Sequence, residues 1–251
     1  GKSTLGIDAV RDTSEKLYEH SRLGGAKVVW IADAALLTEA AANALLKTLE
    51  EPPKNTWFFL ACEEPARLLA TLRSRCRVFH LAPPSEAYAL AWLERETSAS
   101  RDTLLTALRL CDHAPAAALE LLAPESWGAR EKLCQALSVT LTSGDWLALL
   151  PTLNHDSVVA RLHWFSSLLL DALKHQQRIT RLTNADSLGL VHQLANTLSA
   201  SRLQVIAADA CTCREQLLSV TGLNRELILT ERLLRWEHYL QPGTVLPVSH
   251  L

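Results

Sequence analysis

Three stretches of the sequence carry side chains suited to phosphate chemistry. GKST at residues 1–4 has the composition of the end of a P-loop, Asp33 follows an apolar run, and Arg73, Arg75 and Arg77 alternate in RSRCR. Phosphoryl-transfer sites are built from a backbone phosphate cradle, a magnesium-binding carboxylate and a guanidinium. A P-loop also needs an earlier glycine and a strand leading into it. The sequence shows neither, so we interpret residues 1–4 as a loop that leads into a helix.

The cysteines and histidines do not predict a metal or nucleophilic site. Only Cys211 and Cys213 lie close together, and on a helix this spacing points their side chains to different faces. The nine histidines are scattered and form no pair at metal-binding spacing on one helix face. We therefore expect reduced thiols, a cytoplasmic protein, and neither a metal nor another cofactor in this chain. Cys76 has no histidine partner of the kind that activates a nucleophile.

The elements that position the candidate residues alternate in the first third of the chain. The runs KVVWIA, TWFFLAC and RVFHLAPP are apolar and rich in β-branched or aromatic residues, and helical runs separate them. This order predicts βαβ units and a parallel sheet. Between the first two runs, apolar residues at helical spacing extend from Thr38, a suitable N-cap, to Leu49, and Pro52-Pro53 then stop the helix.

The character of the sequence changes after Pro83-Pro84, because all later periodicity is helical. Ser85, Ser100 and Pro115 are suited to begin three short helices that end near Glu96, Leu110 and before Pro124. From about residue 125 the helices lengthen and carry broad apolar stripes. We expect the last of them, in NRELILTERLLRWEHYL, to place its Arg and Glu side chains on an outer face. The fold class is therefore α/β followed by all-α.

Composition excludes several classes of protein. The 251 residues are 48% hydrophobic and 21% charged, with a net charge of −2. No apolar run approaches the roughly 18 residues of a membrane span, and the N-terminus lacks the layout of a secretion signal. The average field does not attract nucleic acid. Because the sequence has no Met, we expect it to be a fragment or a processed product, with a segment missing upstream.

The most specific strings are NALLKTLEEPP at residues 43–53 and LRSRC at residues 72–76. With LACEEPARLLAT between them, they resemble the clamp-loader branch of the AAA+ ATPases, and the resemblance extends along the whole chain. It implies three parts: the later portion of a nucleotide-binding core at residues 1–83, a three-helix lid at 84–124, and a helical collar for oligomerisation at 125–251. The P-loop and a zinc-binding cysteine cluster of the family would lie upstream.

The resemblance also implies that this chain does not hydrolyse ATP. Counting back from Asn43 places the family's magnesium-orienting Asp at Ala32 and its water-polarising Glu at Asp33, which is one methylene shorter. Cys62 stands where hydrolysing relatives have a polar residue that senses the γ-phosphate, and Ala116 stands where their lid supplies an Arg. Loss of such groups usually lowers the rate of phosphoryl transfer strongly. We therefore interpret Asp33 as a residue that caps or solvates the end of a strand rather than as a catalytic base.

Arg75, in contrast, matches the arginine of the family's Ser-Arg-Cys motif. The resemblance implies an arginine finger that points into the ATP site of a neighbouring subunit, with Ser74 and Cys76 supporting the loop. Asn43 and Lys47 share a helix face, so we interpret them, together with Glu50, as structural or subunit-interface candidates rather than as a catalytic constellation.

The implied function is that of a non-hydrolysing clamp-loader subunit, which is no enzyme by itself but part of a bacterial DNA polymerase holoenzyme. Its implied partners are motor subunits of the gamma/tau type and a delta subunit in a hetero-pentamer, and indirectly the sliding clamp and primer-template DNA, with no membrane. Two alternatives stay open. One is a competent AAA+ motor ATPase, and the other is a helical DNA-binding module that uses Arg67, Arg73, Arg75 and Arg77 on phosphates.

Overall fold

The structure, a computed structural model, describes residues 4–19, 21, 24–63, 65–220, 222–241 and 243–247. The chain divides into two compact units, Gly1–Leu81 and Ala82–Leu251, called here unit one and unit two. Residues 1–3 of the GKST stretch lie outside the described residues, so its interpretation as a loop stays a prediction.

Unit one is an α/β unit whose two described strands are parallel neighbours. Lys27 lies opposite Thr56, and the register continues to Ile31 opposite Leu60. Single 3₁₀ turns follow each strand, at Ala34–Leu36 and Pro65–Arg67. The elements in chain order are α1 (Ile7–Tyr18), β1 (Lys27–Ile31), α2 (Glu39–Glu50), β2 (Thr56–Leu60) and the short α3 (Ala70–Arg73). The βα alternation predicted from the sequence is confirmed.

Helix α2 forms where its cap and its apolar spacing predict it. The hydroxyl of Thr38 accepts a hydrogen bond from the backbone N–H of Ala41 at 3.2 Å, which satisfies one of the free donors of the first turn. The inward face of the helix contributes most of the small core of unit one, whose buried members are Val10, Ala41, Ala42, Leu45 and Leu72. This core fixes α1, α2 and α3 against one another.

The third apolar run is not a strand, which corrects the sequence prediction. Residues 77–82 carry no regular secondary structure, and their large apolar side chains point outward: Val78 is 64% exposed and Leu81 is 91% exposed. A strand is stabilised only when a neighbour pairs with its N–H and C=O groups. Among the described residues, only β1 and β2 form a ladder, and each pairs with the other.

Unit two is helical throughout the part of the chain that the structure describes. The hydroxyls of Ser85 and Ser100 cap the first two helices, and Pro115 begins the third, as predicted. The helices are α4 (Glu86–Glu96), α5 (Arg101–Leu110), α6 (Pro115–Leu121), α7 (Pro124–Ser143), α8 (Leu150–Leu153), α9 (Val158–Gln176), α10 (Leu188–Thr197), α11 (Ala200–Ser219) and α12 (Arg225–Leu240). None of the helices described has the length and apolarity needed to cross a bilayer.

The last helix departs from the predicted outward placement of its charges. Arg232 is only 8% exposed, and its Nη1 donates to Asp209 of α11 at 2.5 Å, while Nη2 donates to Gln216 at 3.0 Å. A planar guanidinium can be buried when carboxylate and amide oxygens satisfy its donors. The helix period alone assigned this arginine to the wrong environment, because its partners lie on another helix.

Candidate functional site

The RSRC stretch forms a tight turn at the end of a single-turn helix. Leu72, the third residue of α3, is 2% exposed and joins the core of unit one. The chain then stays wound, because the backbone N–H of Ser74 donates to Ala70 and that of Arg75 donates to Leu72. A buried leucine therefore anchors the turn, while the residues that follow it lie at the surface.

Arg75 is held by three contacts to two residues of unit one. Its Nε donates to Oε1 of Glu50 at 2.6 Å, and its Nη2 makes an ion-pair contact with the same oxygen. Its Nη1 donates to the carbonyl oxygen of Thr71 at 3.0 Å. The side chain remains 33% exposed. A guanidinium has five N–H donors, so two of them lie outside these contacts and are available to a further acceptor.

The other residues of the stretch have separate partners. The hydroxyl of Ser74 donates to the carbonyl of Thr71 at 3.0 Å, so this one oxygen accepts from both Ser74 and Arg75. Nη1 of Arg73 makes a long hydrogen bond of 3.4 Å to the carbonyl of Pro65, and the Arg77 guanidinium lies 5.1 Å from the ring centre of Phe79. Each of the three arginines therefore has a different partner among the described residues.

Cys76 is partly buried beside this turn. Burial raises the pKa of its thiol, which favours the uncharged form at neutral pH. A nucleophilic cysteine requires the opposite shift, because the thiolate is the reactive species. The supporting role predicted for Cys76 stays a prediction, while the shift speaks against covalent chemistry at this position.

The residues aligned with the magnesium and water positions lie just after the strands. Ala32 follows β1 and is exposed, and its methyl group offers no oxygen to a metal. Oδ1 of Asp33 accepts a hydrogen bond from the backbone N–H of Ala35 at 3.1 Å, and so caps the 3₁₀ turn that follows. Cys62 lies two residues beyond the end of β2 and is half-buried. The structure thus gives Asp33 a local structural role.

The remaining candidates lie on helix surfaces. Ala116 is the second residue of α6 in unit two and is exposed. Asn43 and Lys47 are exposed on α2, while Glu50, its last residue, makes the contact with Arg75 within the same unit. The side chain of Arg67 is outside the described part. No group of three or more His, Cys, Asp or Glu side chains suited to a metal occurs among the residues that the structure describes.

The pairing of Glu50 with Arg75 is the feature that sequence reasoning missed. The two residues are 25 positions apart, and Glu50 and Glu51 were equivalent choices as partners of the motif arginine. The only available signal was an acidic residue at the C-terminal end of a helix, where the helix dipole disfavours negative charge. A nearby cation offsets this effect of the dipole, as Arg75 does here.

Three family descriptions match consecutive parts of the chain. "DNA polymerase III, delta subunit" matches residues 1–85, "DNA polymerase III subunit delta', AAA+ ATPase lid domain" matches residues 84–123, and "DNA polymerase III, delta subunit, C terminal" matches residues 124–238. Together they follow the same order as the α/β unit, the short helices and the long helices.

Individual relatives agree with this assignment. DNA polymerase III subunit delta' of Escherichia coli (strain K12) is 64% identical over 251 residues, which cover 100% of this chain and 75% of that protein. The Yersinia pestis protein of the same name is 52% identical over 250 residues, with coverages of 97% and 74%. DNA polymerase III subunit tau of Escherichia coli is 40% identical over only 75 residues, which are 30% of this chain and 12% of that protein.

A solved DNA polymerase III gamma subunit-related protein from Thermotoga maritima is 22% identical, with a TM-score of 0.47 over 95% of this chain and 81% of that one.

The matching families cover each part of the described fold, and a relative of which the chain spans three quarters is 64% identical. The chain belongs to the family of DNA polymerase III delta' subunits.

Proposed function

We propose that this chain is a clamp-loader subunit that does not hydrolyse ATP itself and that donates Arg75 to the ATP site of a neighbouring subunit. Hydrolysis in that site builds negative charge on the transferred phosphoryl group. A planar guanidinium can bridge two phosphate oxygens as this charge develops. An arginine supplied in trans to an NTPase can be worth on the order of 10³ to 10⁵ in rate.

One observation carries the proposal. The arginine of the Ser-Arg-Cys motif lies at the surface of unit one, with a side chain that is 33% exposed and two guanidinium N–H groups that lie outside its internal contacts. An arginine that contributes only to the fold is expected to be buried with its guanidinium against other groups of the chain. Arg130 of unit two is such a case, because it is 1% exposed and its two Nη groups donate to Asp186 and Asn184.

The absence of hydrolysis in this chain is supported by the residues at the phosphate-facing positions. Ala32 and Ala116 have methyl groups where the family's motor subunits have a carboxylate and a guanidinium, and Asp33 is engaged as a cap. Cys62 is a weak hydrogen-bond former. Restoring one position would not restore turnover, because phosphoryl transfer depends on several charged groups acting together.

The same proposal covers the architecture and the partners. We assign residues 1–83 to a nucleotide-binding-like domain, 84–124 to a lid, and 125–251 to a collar that assembles with motor subunits of the gamma/tau type and a delta subunit. Exposed apolar side chains on the long helices of unit two support the collar role: Val139, Leu218, Leu227 and Leu234. Asn43 and Lys47 stay proposed interface residues. The complex would load the sliding clamp onto primed DNA.

The test is Arg75→Ala in the full-length protein, reconstituted with its partner subunits. We expect the complex to assemble with unchanged stoichiometry, as measured by gel filtration. Its clamp- and DNA-stimulated ATP turnover should fall by at least the part of the total turnover that the adjacent ATP site contributes. Arg77→Ala is the matched control, because Arg77 lies two residues away from Arg75 and its described contact is with the ring of Phe79. Normal turnover in an assembled Arg75→Ala complex would refute the trans role.

Two further measurements separate the alternatives. A motor ATPase would hydrolyse ATP as the isolated full-length protein, whereas our proposal expects no turnover without partners. A DNA-binding module would bind duplex DNA with a steep dependence on salt. The net charge of −2 and the separate internal contacts of Arg73, Arg75 and Arg77 favour neither steep salt dependence nor a shared phosphate site.

A further inference from the structure

The geometry of the Glu50–Arg75 pair favours a role in orienting the guanidinium rather than in stabilising the fold. Glu50 is the last residue of α2, and Arg75 follows the turn after α3. One carboxylate oxygen, Oε1, receives both Nε and Nη2 of the guanidinium. These two nitrogens present parallel N–H groups along one edge of the guanidinium plane. The contact therefore fixes the orientation of the plane as well as its position.

The backbone contributes a second constraint. The carbonyl of Thr71 accepts from Nη1 at 3.0 Å, and the same carbonyl accepts from the hydroxyl of Ser74. Leu72, between them in the chain, is buried against the α2 core. Arg75 is thus attached to two elements, α2 through Glu50 and α3 through Thr71, and these elements already pack against each other. An exposed arginine otherwise samples many rotamers.

From this geometry we infer that Glu50 is a positioning residue, which holds the guanidinium of Arg75 in one orientation at the surface so that it is already ordered when a neighbour's ATP reaches it. The inference rests on the proposed trans role of Arg75. Preorganised groups stabilise a transition state better than mobile ones, because no reorganisation is needed at the moment of reaction. Glu50 itself does not touch the nucleotide; it acts through Arg75.

The exposed fractions support positioning over simple ion pairing. The side chains of Glu50 and Arg75 are 49% and 33% exposed, so water screens their attraction, and an exposed pair of this kind adds little to stability. Loss of Glu50 should therefore leave the fold and the assembly intact. What it removes is the directional contact along the Nε and Nη2 edge.

The experiment compares Glu50→Ala, Arg75→Ala and the double variant in the reconstituted complex, with the full-length protein carrying each change. We expect Glu50→Ala to cause at least about half of the loss in ATP turnover that Arg75→Ala causes, since misplacing a group that contacts the transition state is costly. The loss should appear in kcat with little change in KM for ATP, the signature of an interaction made in the transition state.

Two further variants make the test specific. In the Arg75→Ala background, Glu50→Ala should cause no additional loss, because a residue that acts only through Arg75 has nothing left to position. Glu50→Gln keeps an acceptor oxygen at the same place and should recover part of the turnover. Glu51→Ala is the control, since Glu51 is the adjacent exposed acid and takes no part in the pair with Arg75.

The outcomes separate this inference from the proposed function. If Arg75→Ala lowers turnover and Glu50→Ala does not, the positioning role is refuted and the trans arginine stands. A rise in turnover in Glu50→Ala also refutes positioning, because it would mean that Glu50 masks the guanidinium. If neither variant lowers turnover, the proposed function itself fails.

Discussion

The two units differ in the burial of their aromatic residues: several are exposed in unit one, whereas those at the centre of unit two are buried. In unit one, Trp57 and Phe59 of β2 are 62% and 51% exposed, and Trp30, across from Phe59, is 64% exposed. In unit two, Trp146, Phe165 and Trp236 are at most 1% exposed and contact one another, with ring centres 5.0 to 6.4 Å apart. In unit one, α1 and α2 pack on one face of the two strands, through Ile31, Phe58 and Leu60, and the other face is exposed among the described residues. In unit two, the helices close around the aromatic side chains.

The units also differ in how they treat charge. The Glu50–Arg75 pair of unit one is partly exposed, but Arg130 of unit two is 1% exposed. Its two Nη groups donate to both oxygens of Asp186 at 2.6 and 2.9 Å, and Nη2 also donates to Asn184 at 2.9 Å. Thr106 of α5 donates to the same Asp186 at 3.0 Å. The buried network therefore joins α5 and α7, while the exposed pair leaves a guanidinium accessible.

The largest effect on stability is expected when the buried guanidinium of Arg130 is removed. We expect Arg130→Ala to lower the free energy of unfolding of unit two by roughly 3 to 5 kcal/mol, because Asp186, whose side chain is only 14% exposed, would lose its charge partner. Urea unfolding, with hydrogen exchange of the α9 amides, measures the change. Arg101→Ala is the control, since its pair with Glu94 is exposed and should cost about 1 kcal/mol or less. Equal losses would contradict the distinction.

A smaller effect is expected from Glu86, the first residue of α4. A hydrogen bond from Arg109, aided by the charges of Arg109, Arg181 and His113, holds the pKa of this carboxyl below its ordinary value of 4.5. A depressed pKa in the folded state means that the stabilisation is present above the unfolded-state pKa and is lost as the pH falls through the folded-state value. The pair should therefore contribute at neutral pH and not in acid.

Glu86→Gln tests this by its pH dependence. At neutral pH we expect a loss of about 1 kcal/mol, a modest figure because the carboxylate is partly exposed. The difference from the unchanged protein should shrink as the pH falls below 4.5, where the glutamate becomes protonated as well. Urea titrations over a pH series give the curve, and Glu96→Gln, an exposed acid of the same helix, is the control. A pH-independent difference would contradict the assignment.

The smallest effect is expected on the open face of unit one. Trp57→Ala in this chain should change the stability of unit one by less than about 1 kcal/mol, because the side chain is already largely in water. Trp236→Ala, the same substitution in the closed core, should cost about 3 to 5 kcal/mol in unit two. Thermal and urea unfolding of both variants provide the comparison. A large loss from Trp57→Ala would mean that the face is not open.

Local signals predicted the helices well, and for a physical reason. The caps at Thr38, Ser85 and Ser100 each act on the backbone N–H group three residues later, so a short window of sequence contains the whole interaction. The run RVFHL failed as a strand prediction for the opposite reason. Its β propensity is local, but strand formation needs a partner supplied by another part of the chain.

For the candidate site, the sequence supplied predicted residues but no geometry. The Ser-Arg-Cys motif singled out Arg75, and the counted positions of Ala32, Asp33, Cys62 and Ala116 followed from the sequence. The environment of the arginines did not follow. Arg130 and Asp186 are 56 positions apart, and Arg232 and Asp209 are 23 apart, so no periodicity in a single element indicated that these cations were buried together with acids.

The sequence by itself determined the family, the order of an α/β unit and a helical unit, the helix starts, and the identity of the motif arginine. The tertiary structure alone decided which glutamate meets Arg75. Glu50 and Glu51 are adjacent, but successive residues of a helix point about 100° apart, and Glu51 already leaves the helical conformation. Only the packing of α3 on α2, through Leu72, places the guanidinium beside one of these carboxylates and away from the other.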